Sequence, residues 1–130
     1  MIVIDSSPLI AILKDESDAD IFRQAINDAD RIILGTPNKL EVMMVATGRF
    51  GGEGRPLVED LLQNAKIEVV DWTDAMVSLA TDAFLKFGKG QHKAKLNFGD
   101  CMAYALAKSL NAPLLYKGAD FAQTDIRSAL

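Results

Sequence analysis

The 130-residue chain has one cysteine, one histidine and no long apolar run, and each scarcity removes a class of function. Cys101 alone excludes an internal disulfide and any zinc cage built from cysteines, and it points to a reducing compartment, the cytoplasm. His92 alone would have to serve any Ser-His-Asp triad, yet it lies in a Lys- and Gly-rich loop and no GxSxG elbow accompanies it. No run approaches the ~18 apolar residues of a membrane span. Asp5 and Lys14 interrupt the first apolar stretch and no basic leader precedes it, so neither a membrane anchor nor a secretory signal is expected. GGEGR lacks the GK[ST] ending of a phosphate-binding loop. Internal repeats, low-complexity tracts and linkers are also missing.

Positive charge is scarce too. There are 18 acidic residues against 14 basic ones, a net charge of −4 and a pI near 4.9. Such a balance speaks against an ordinary nucleic-acid binder, which shows a basic footprint. The sum does not decide the matter, because carboxylates gathered around a divalent cation count as negative yet attract phosphate once the cation is there.

What is present suits one globular domain spanning residues 1–130. The chain is 49% hydrophobic and 25% charged, and domains commonly run to about 100–150 residues. Ile2–Ile4 predicts a buried strand, and Ser7-Pro8 a helix start with serine as cap and proline in the first turn. A helix is expected from about Ser17 to Ala29, with Ile21, Phe22, Ala25 and Ile26 on one face. Arg31–Leu34 is extended or a buried connection. Thr36-Pro37 enters another helix, with Leu40 to about Thr47 helical, and GRFGGEGR reads as a loop. Further helices are expected over Pro56–Ala65, Asp74–Phe87 and Phe98–Leu110, and strands at Ile67–Val70 and Leu114–Tyr116. Strands alternating with helices predict an α/β fold, a three-layer α/β/α arrangement around a parallel sheet.

In open parallel sheets, ligands bind beyond the carboxyl ends of the strands, and that is where the acids fall. Asp5 follows the first strand, Asp71 the next clear one, and Asp120 lies just past the last. Asp5, Glu41, Asp100 and Asp120 form the candidate constellation, each with an ordinary alternative. Asp5 can cap a helix, Glu41 can complement a helix dipole, Asp100 stands three residues after Asn97 where a capping box places an acid, and Asp120 suits a turn. Together they suit a hard cation, which takes oxygen ligands and promotes phosphodiester hydrolysis. Lys86, Lys89, Lys93 and Lys95 put 4 of the 14 basic residues within ten positions around His92. That loop is either a solvated connection or a phosphate-backbone contact upstream of Asp100. Cys101 reads as a small core residue.

MIVIDSSPLIAIL, LEVMMV, NFGDCMAYALAK followed by PLLYKGADF, and the closing TDI together resemble the PIN-domain ribonucleases, within them the toxins of VapBC toxin–antitoxin pairs. The likeness runs end to end. It implies a PIN-like fold with carboxylates at the carboxyl-end face of the sheet, and Mg²⁺- or Mn²⁺-dependent RNA cleavage. Carried over residue by residue, it makes Asp5, Glu41 and Asp100 the first three metal ligands. Ala119 stands where some relatives have another acid, so the fourth role falls to Asp120, with Asp125 as the alternative. Ser6 follows the first aspartate as in the family, which implies a contact with metal-bound water or the scissile phosphate. The basic loop residues Lys89, His92, Lys93 and Lys95 become candidate RNA contacts. The resemblance also implies a homodimer and a VapB-type antitoxin, with tRNA, ribosomal RNA or another RNA as substrate. The apolar segment Met43–Val45 serves such an interface or packs in the core.

Two rival chemistries remain in view. A dehalogenase-like phosphatase also places an aspartate behind its first strand but needs a second two residues on, where this chain has Ser7. A non-catalytic PIN-like module binding protein or RNA differs by losing acids, and this chain keeps them.

Overall fold

The computed structural model describes residues 1–130. Four strands, β1 (Ile2–Ile4), β2 (Ile32–Gly35), β3 (Glu68–Val70) and β4 (Leu114–Leu115), form one sheet in the order β3-β2-β1-β4. Every pairing is parallel, with Val3 opposite Ile33 on one side and Leu114 on the other. Arg31–Leu34 therefore resolves into a strand rather than a connection.

Side chains alternate across a strand, and the sheet uses both faces. Val3, Ile33 and Leu114 pack against α5 (Asp74–Phe87) and α6 (Phe98–Leu110), with Leu96, Leu106 and Phe121 in the same cluster. Ile4, Leu34 and Leu115 face the other way, onto Leu9 of α1 (Ser6–Leu13), Phe22 of α2 (Ala19–Asp28), Val42 of α3 (Thr36–Phe50) and Val58 of α4 (Gly54–Asn64). The result is the expected α/β/α layering. Burial on both faces explains why the strands read as continuous apolar runs.

Two local expectations are corrected. GRFGGEGR is not an open loop: α3 runs on to Phe50, Gly51–Glu53 make a single 3-10 turn, and α4 starts at Gly54. A Cβ on Gly54 would meet the Ala46 backbone at 2.6 Å, so this glycine lets α4 lie directly on α3. Gly51, at φ +62°, makes the bend where a side chain would be strained. The glycines that suggested flexibility serve close packing. The second correction concerns α1, whose cap is Asp5, not Ser7.

Candidate active site

β1 ends where the Asp5 N–H donates to the Leu115 carbonyl at 2.9 Å, so Asp5 leaves the sheet at its carboxyl edge. Its side chain turns back onto α1. Oδ2 accepts from the Ser7 N–H at 3.2 Å and from the Ser7 hydroxyl at 2.6 Å. That is an N-cap, and it uses only one of the two oxygens. Asp5 is 3% exposed, and its Oδ1 is the single buried side-chain nitrogen or oxygen in the protein without a hydrogen-bond partner. The same residue thus caps the helix, as one of its two sequence readings has it, and keeps Oδ1 without a partner.

α3 follows β2 immediately, with Pro37 in its first turn, and brings Glu41 to the same edge. The Ser6 hydroxyl donates to Glu41 Oε1. Across from it stands the first turn of α6. A Cβ on Gly99 would meet Glu41 Oε2 at 2.7 Å, so a glycine there lets the carboxylate lie against the helix start, where the dipole favours negative charge. Asn38, 1% exposed, ties the two helices by donating to the Gly99 carbonyl at 3.2 Å.

Asp100 forms the capping box read from sequence: its N–H donates to Asn97 Oδ1 at 2.9 Å, and its Oδ2 accepts from the Asn97 N–H at 3.1 Å. Like Asp5, it is both a cap and a member of the acid cluster. Burial pushes the Asp5 carboxyl up to about 7, against the Ser7 hydroxyl bond, with the charges of Asp100 and Glu41 adding to the rise. Burial also raises Asp100 to about 6, the Asn97 bond opposing it and Asp120 and Glu41 reinforcing it. Asp5 thus lies in the field of Asp100 and Glu41, and Asp100 in that of Asp120 and Glu41. No lysine or arginine forms an ion pair with any of the four.

Asp120 is exposed, at the turn after β4. Asp125 is separate: Oδ1 accepts from the Tyr104 hydroxyl at 2.6 Å, and Oδ2 pairs with Lys108 at 2.8 Å. As the side chains stand, no three carboxylates, histidines or cysteines are grouped to hold one ion. Glu41 is turned onto Ser6 and Asp5 Oδ2 onto Ser7. The donor set nevertheless fits a hard divalent cation, being all oxygen, and the unpartnered Asp5 Oδ1 is the position in it that lacks a partner.

Sequence reading passed over Ser7 as a site residue. Its hydroxyl accepts from the Lys117 N–H at 3.0 Å while donating to Asp5, joining the ends of β1 and β4. The only local signal was its place two residues after an aspartate.

Residues 88–97 are bridged at their ends, Gly88 to Leu96, so the basic loop projects from the start of α6, the turn that carries Asp100. Lys89, Gln91, His92, Lys93 and Lys95 line an open hollow of about 600 Å³. The three lysines are exposed and make no ion pair with any acid. His92 is partly structural: Nδ1 accepts from the Ala94 N–H at 3.0 Å and the ring meets Phe87 edge-on. Beside Glu41, the Met43–Val45 segment divides. Met43 packs on the core, whereas Met44 is exposed together with Leu40 and Phe98, which is 80% exposed.

The family model for the PIN domain matches residues 2–127. The chain is 42% identical over 125 residues to a VapC ribonuclease of Mycobacterium bovis, covering 95% of each. It is 40% identical to a ribonuclease VapC of Mycolicibacterium smegmatis, over 95% of this chain and 96% of the relative. Among solved structures, VapC20 of Mycobacterium tuberculosis, described as a sarcin–ricin loop cleaving toxin, superposes with a TM-score of 0.79 over 97% of this chain and 96% of that one, at 12% identity. DNA-bound VapBC from Salmonella typhimurium gives a TM-score of 0.76 at 16% identity, covering 98% and 94%. At those identities the structures speak to the fold, which they share.

Proposed function

The chain belongs to the PIN-domain family, among its VapC ribonucleases, and on that premise we propose that Asp5, Glu41, Asp100 and Asp120 hold the divalent cation with which it cleaves RNA. It is an endoribonuclease toxin of the toxin–antitoxin type, and we read residues 1–130 as one PIN domain, the family model matching 2–127 of them. The observation that carries the site is Asp5 Oδ1. A buried carboxylate oxygen without a partner costs stability, and a cation beside it would remove that cost.

The chain's own residues divide the work. Asp5, fixed by Ser7 through Oδ2, offers Oδ1 in a set orientation. Glu41 and Asp100 flank it from α3 and α6, each held by a neighbouring polar group, Ser6 or Asn97. Asp120 completes the set from the turn after β4. The bound ion, Mg²⁺ or Mn²⁺, supplies positive charge that offsets charge on the phosphate oxygens and makes water more acidic. The Ser6 hydroxyl gives its one proton to Glu41 and so orients that carboxylate, leaving its oxygen to accept from water at the scissile phosphate. No histidine is needed as base, which agrees with His92 being occupied by Ala94 and Phe87.

Lys89, Lys93 and Lys95, unpaired in the loop that leads into α6, contact the RNA backbone. The apolar strip of Leu40, Met44 and Phe98 next to Glu41 is offered as the interface for a second copy or for a VapB-type antitoxin. No helix is long and apolar enough to cross a membrane, and the unpaired, buried Cys101 suits the cytoplasm.

The test is direct. Purified Asp5→Asn and Asp100→Asn proteins should fold yet lose Mg²⁺-dependent cleavage of total cellular RNA. Wild-type cleavage by either variant, or wild-type cleavage in EDTA, would sink the assignment.

A further inference from the structure

The Tyr104–Asp125–Lys108 contact lies outside the acid cluster, and both of its anchors bear on it. Tyr104 sits one helical turn beyond Asp100 on α6, and Lys108 one turn further. The Tyr104 hydroxyl donates to Asp125 Oδ1 at 2.6 Å, the Lys108 ammonium meets Oδ2 at 2.8 Å, and that ammonium also lies 5.8 Å from the Tyr104 ring centre. Both oxygens of Asp125 are therefore engaged, which leaves it unsuited to ligate an ion. Tyr104 is 5% exposed, so its ring is held by the core and its hydroxyl has a fixed origin.

Asp125 belongs to the strap that follows β4. Asp120 opens that strap, Phe121 plugs the core at 2% exposure, and the Thr124 hydroxyl closes the turn by donating to the Phe121 carbonyl at 2.7 Å. Beyond Asp125 the strap is tied to β4 by the Leu114 N–H donating to the Arg127 carbonyl at 2.9 Å. Asp120 is thus held through a five-residue segment whose far end is fixed to the helix that bears Asp100. The Asp120 side chain is exposed, so its place is set by the strap that carries it.

We propose that Tyr104 and Asp125, backed by Lys108, are positioning residues that hold Asp120 against Asp100 and so complete the metal site without touching the metal. The inference rests on the assignment of Asp120 as the fourth carboxylate. It gives Asp125, the alternative for that role, a different task.

The test measures Mn²⁺ binding to the full-length, antitoxin-free protein by calorimetry, with Tm recorded beside it. Tyr104→Phe deletes only the hydroxyl, and Asp125→Asn deletes the charge that Lys108 faces. Each should weaken Mn²⁺ binding about 10-fold, the scale of losses for groups that orient metal ligands. Asp120→Asn should weaken it at least as much. The double variant Tyr104→Phe/Asp120→Asn should bind no worse than Asp120→Asn alone, since the clamp acts through Asp120. Wild-type affinity in both Tyr104→Phe and Asp125→Asn, with Asp120→Asn weakened, overturns the clamp and leaves the site assignment standing. Additive losses in the double variant overturn it as well, as a merely structural contact would give them. Wild-type affinity in Asp120→Asn removes the fourth-ligand assignment and the clamp with it.

Discussion

Two populations of carboxylate share this small fold. On the flanks, several acids are matched with cations. Glu68 meets Arg31 in a two-pronged pair, Asp30 meets the N-terminal ammonium, and Glu16 and Asp18 share the Lys117 ammonium. The partners of Glu68 and Asp30 hold those carboxyls below the ordinary range. At the carboxyl end of the sheet the pattern inverts: Asp5 is buried and Asp100 half-buried, their carboxyls are raised to about 7 and about 6, and no lysine or arginine pairs with either. Acids on the flanks fasten elements together. Acids at the sheet edge are held where burial and like charge disfavour ionisation, a state that either protonation or a bound cation would relieve.

Neutralising the sheet-edge group should break the contrast most sharply. Asp5→Asn keeps an oxygen for the Ser7 bonds but removes the buried charge. RNA cleavage should fall by more than about 100-fold, because even groups that only orient metal ligands cost 10–100-fold when lost. Metal-free Tm should hold or rise, since an unpaired buried carboxylate is gone. Gel assays of cleavage and a thermal melt of the same preparation read both; a large fall in Tm would mean that Asp5 is mainly a cap.

A smaller loss is expected at Gly99. The Cβ of Gly99→Ala would press on Glu41 Oε2 at 2.7 Å and Oε1 at 2.9 Å, the flexible end of a side chain rather than backbone. Glu41 would swing aside at little cost to folding. Cleavage should fall about 10- to 100-fold, as misplacement by an ångström can cost, with Tm nearly unchanged. Unaltered turnover would show that Glu41 need not lie on α6.

The contrast also has a pH signature. Asp5 and Asp100 have folded-state pKa values above their ordinary 3.8, so the folded protein binds more protons than the unfolded chain between about pH 4 and 7. Their protonated forms favour folding, and that contribution is complete below pH 4 and lost as pH rises through about 6 and 7. The metal-free protein should melt at a lower temperature at pH 8 than at pH 5.5, with Mg²⁺ restoring more at the higher pH. Calorimetry in EDTA and in Mg²⁺ across that range checks the sign. A flat metal-free profile would mean that the acids are not held as the structure has them.

Much of this architecture is legible in the residues, and the limits have physical causes. Asp74–Phe87 and Phe98–Leu110 carry their boundaries in local chemistry, an acid at one start and the Asn97 capping box at the other, and the structure keeps both spans. Strand ends were less sharp, because Arg31–Leu34 gains its identity from pairing with β1 and β3 rather than from its own sequence. GRFGGEGR misled because glycine marks both mobile loops and tight helix contacts, and only the Ala46 backbone tells which applies to Gly54. Nothing local brings Glu41 to Asp100; α3 and α6 meet through tertiary packing and the Asn38 bond. Nor did Ser7 reveal that its hydroxyl joins two strand ends, since its partner Lys117 lies 110 residues away.

The smallest expected effect comes from the flanks. Arg31 and Glu68 pair at 2.7 and 3.1 Å, but their side chains are 58% and 45% exposed, so water already solvates both charges. Removing one partner leaves the other hydrated rather than stranded, which is why exposed pairs contribute little. Arg31→Ala should therefore shift Tm by less than about 2 °C and leave RNA cleavage and Mn²⁺ affinity at wild-type values. A loss of cleavage in this variant would blur the division between fastening and binding acids. Were only Tm to fall steeply, β2–β3 pairing would depend on this bridge more than its exposure allows.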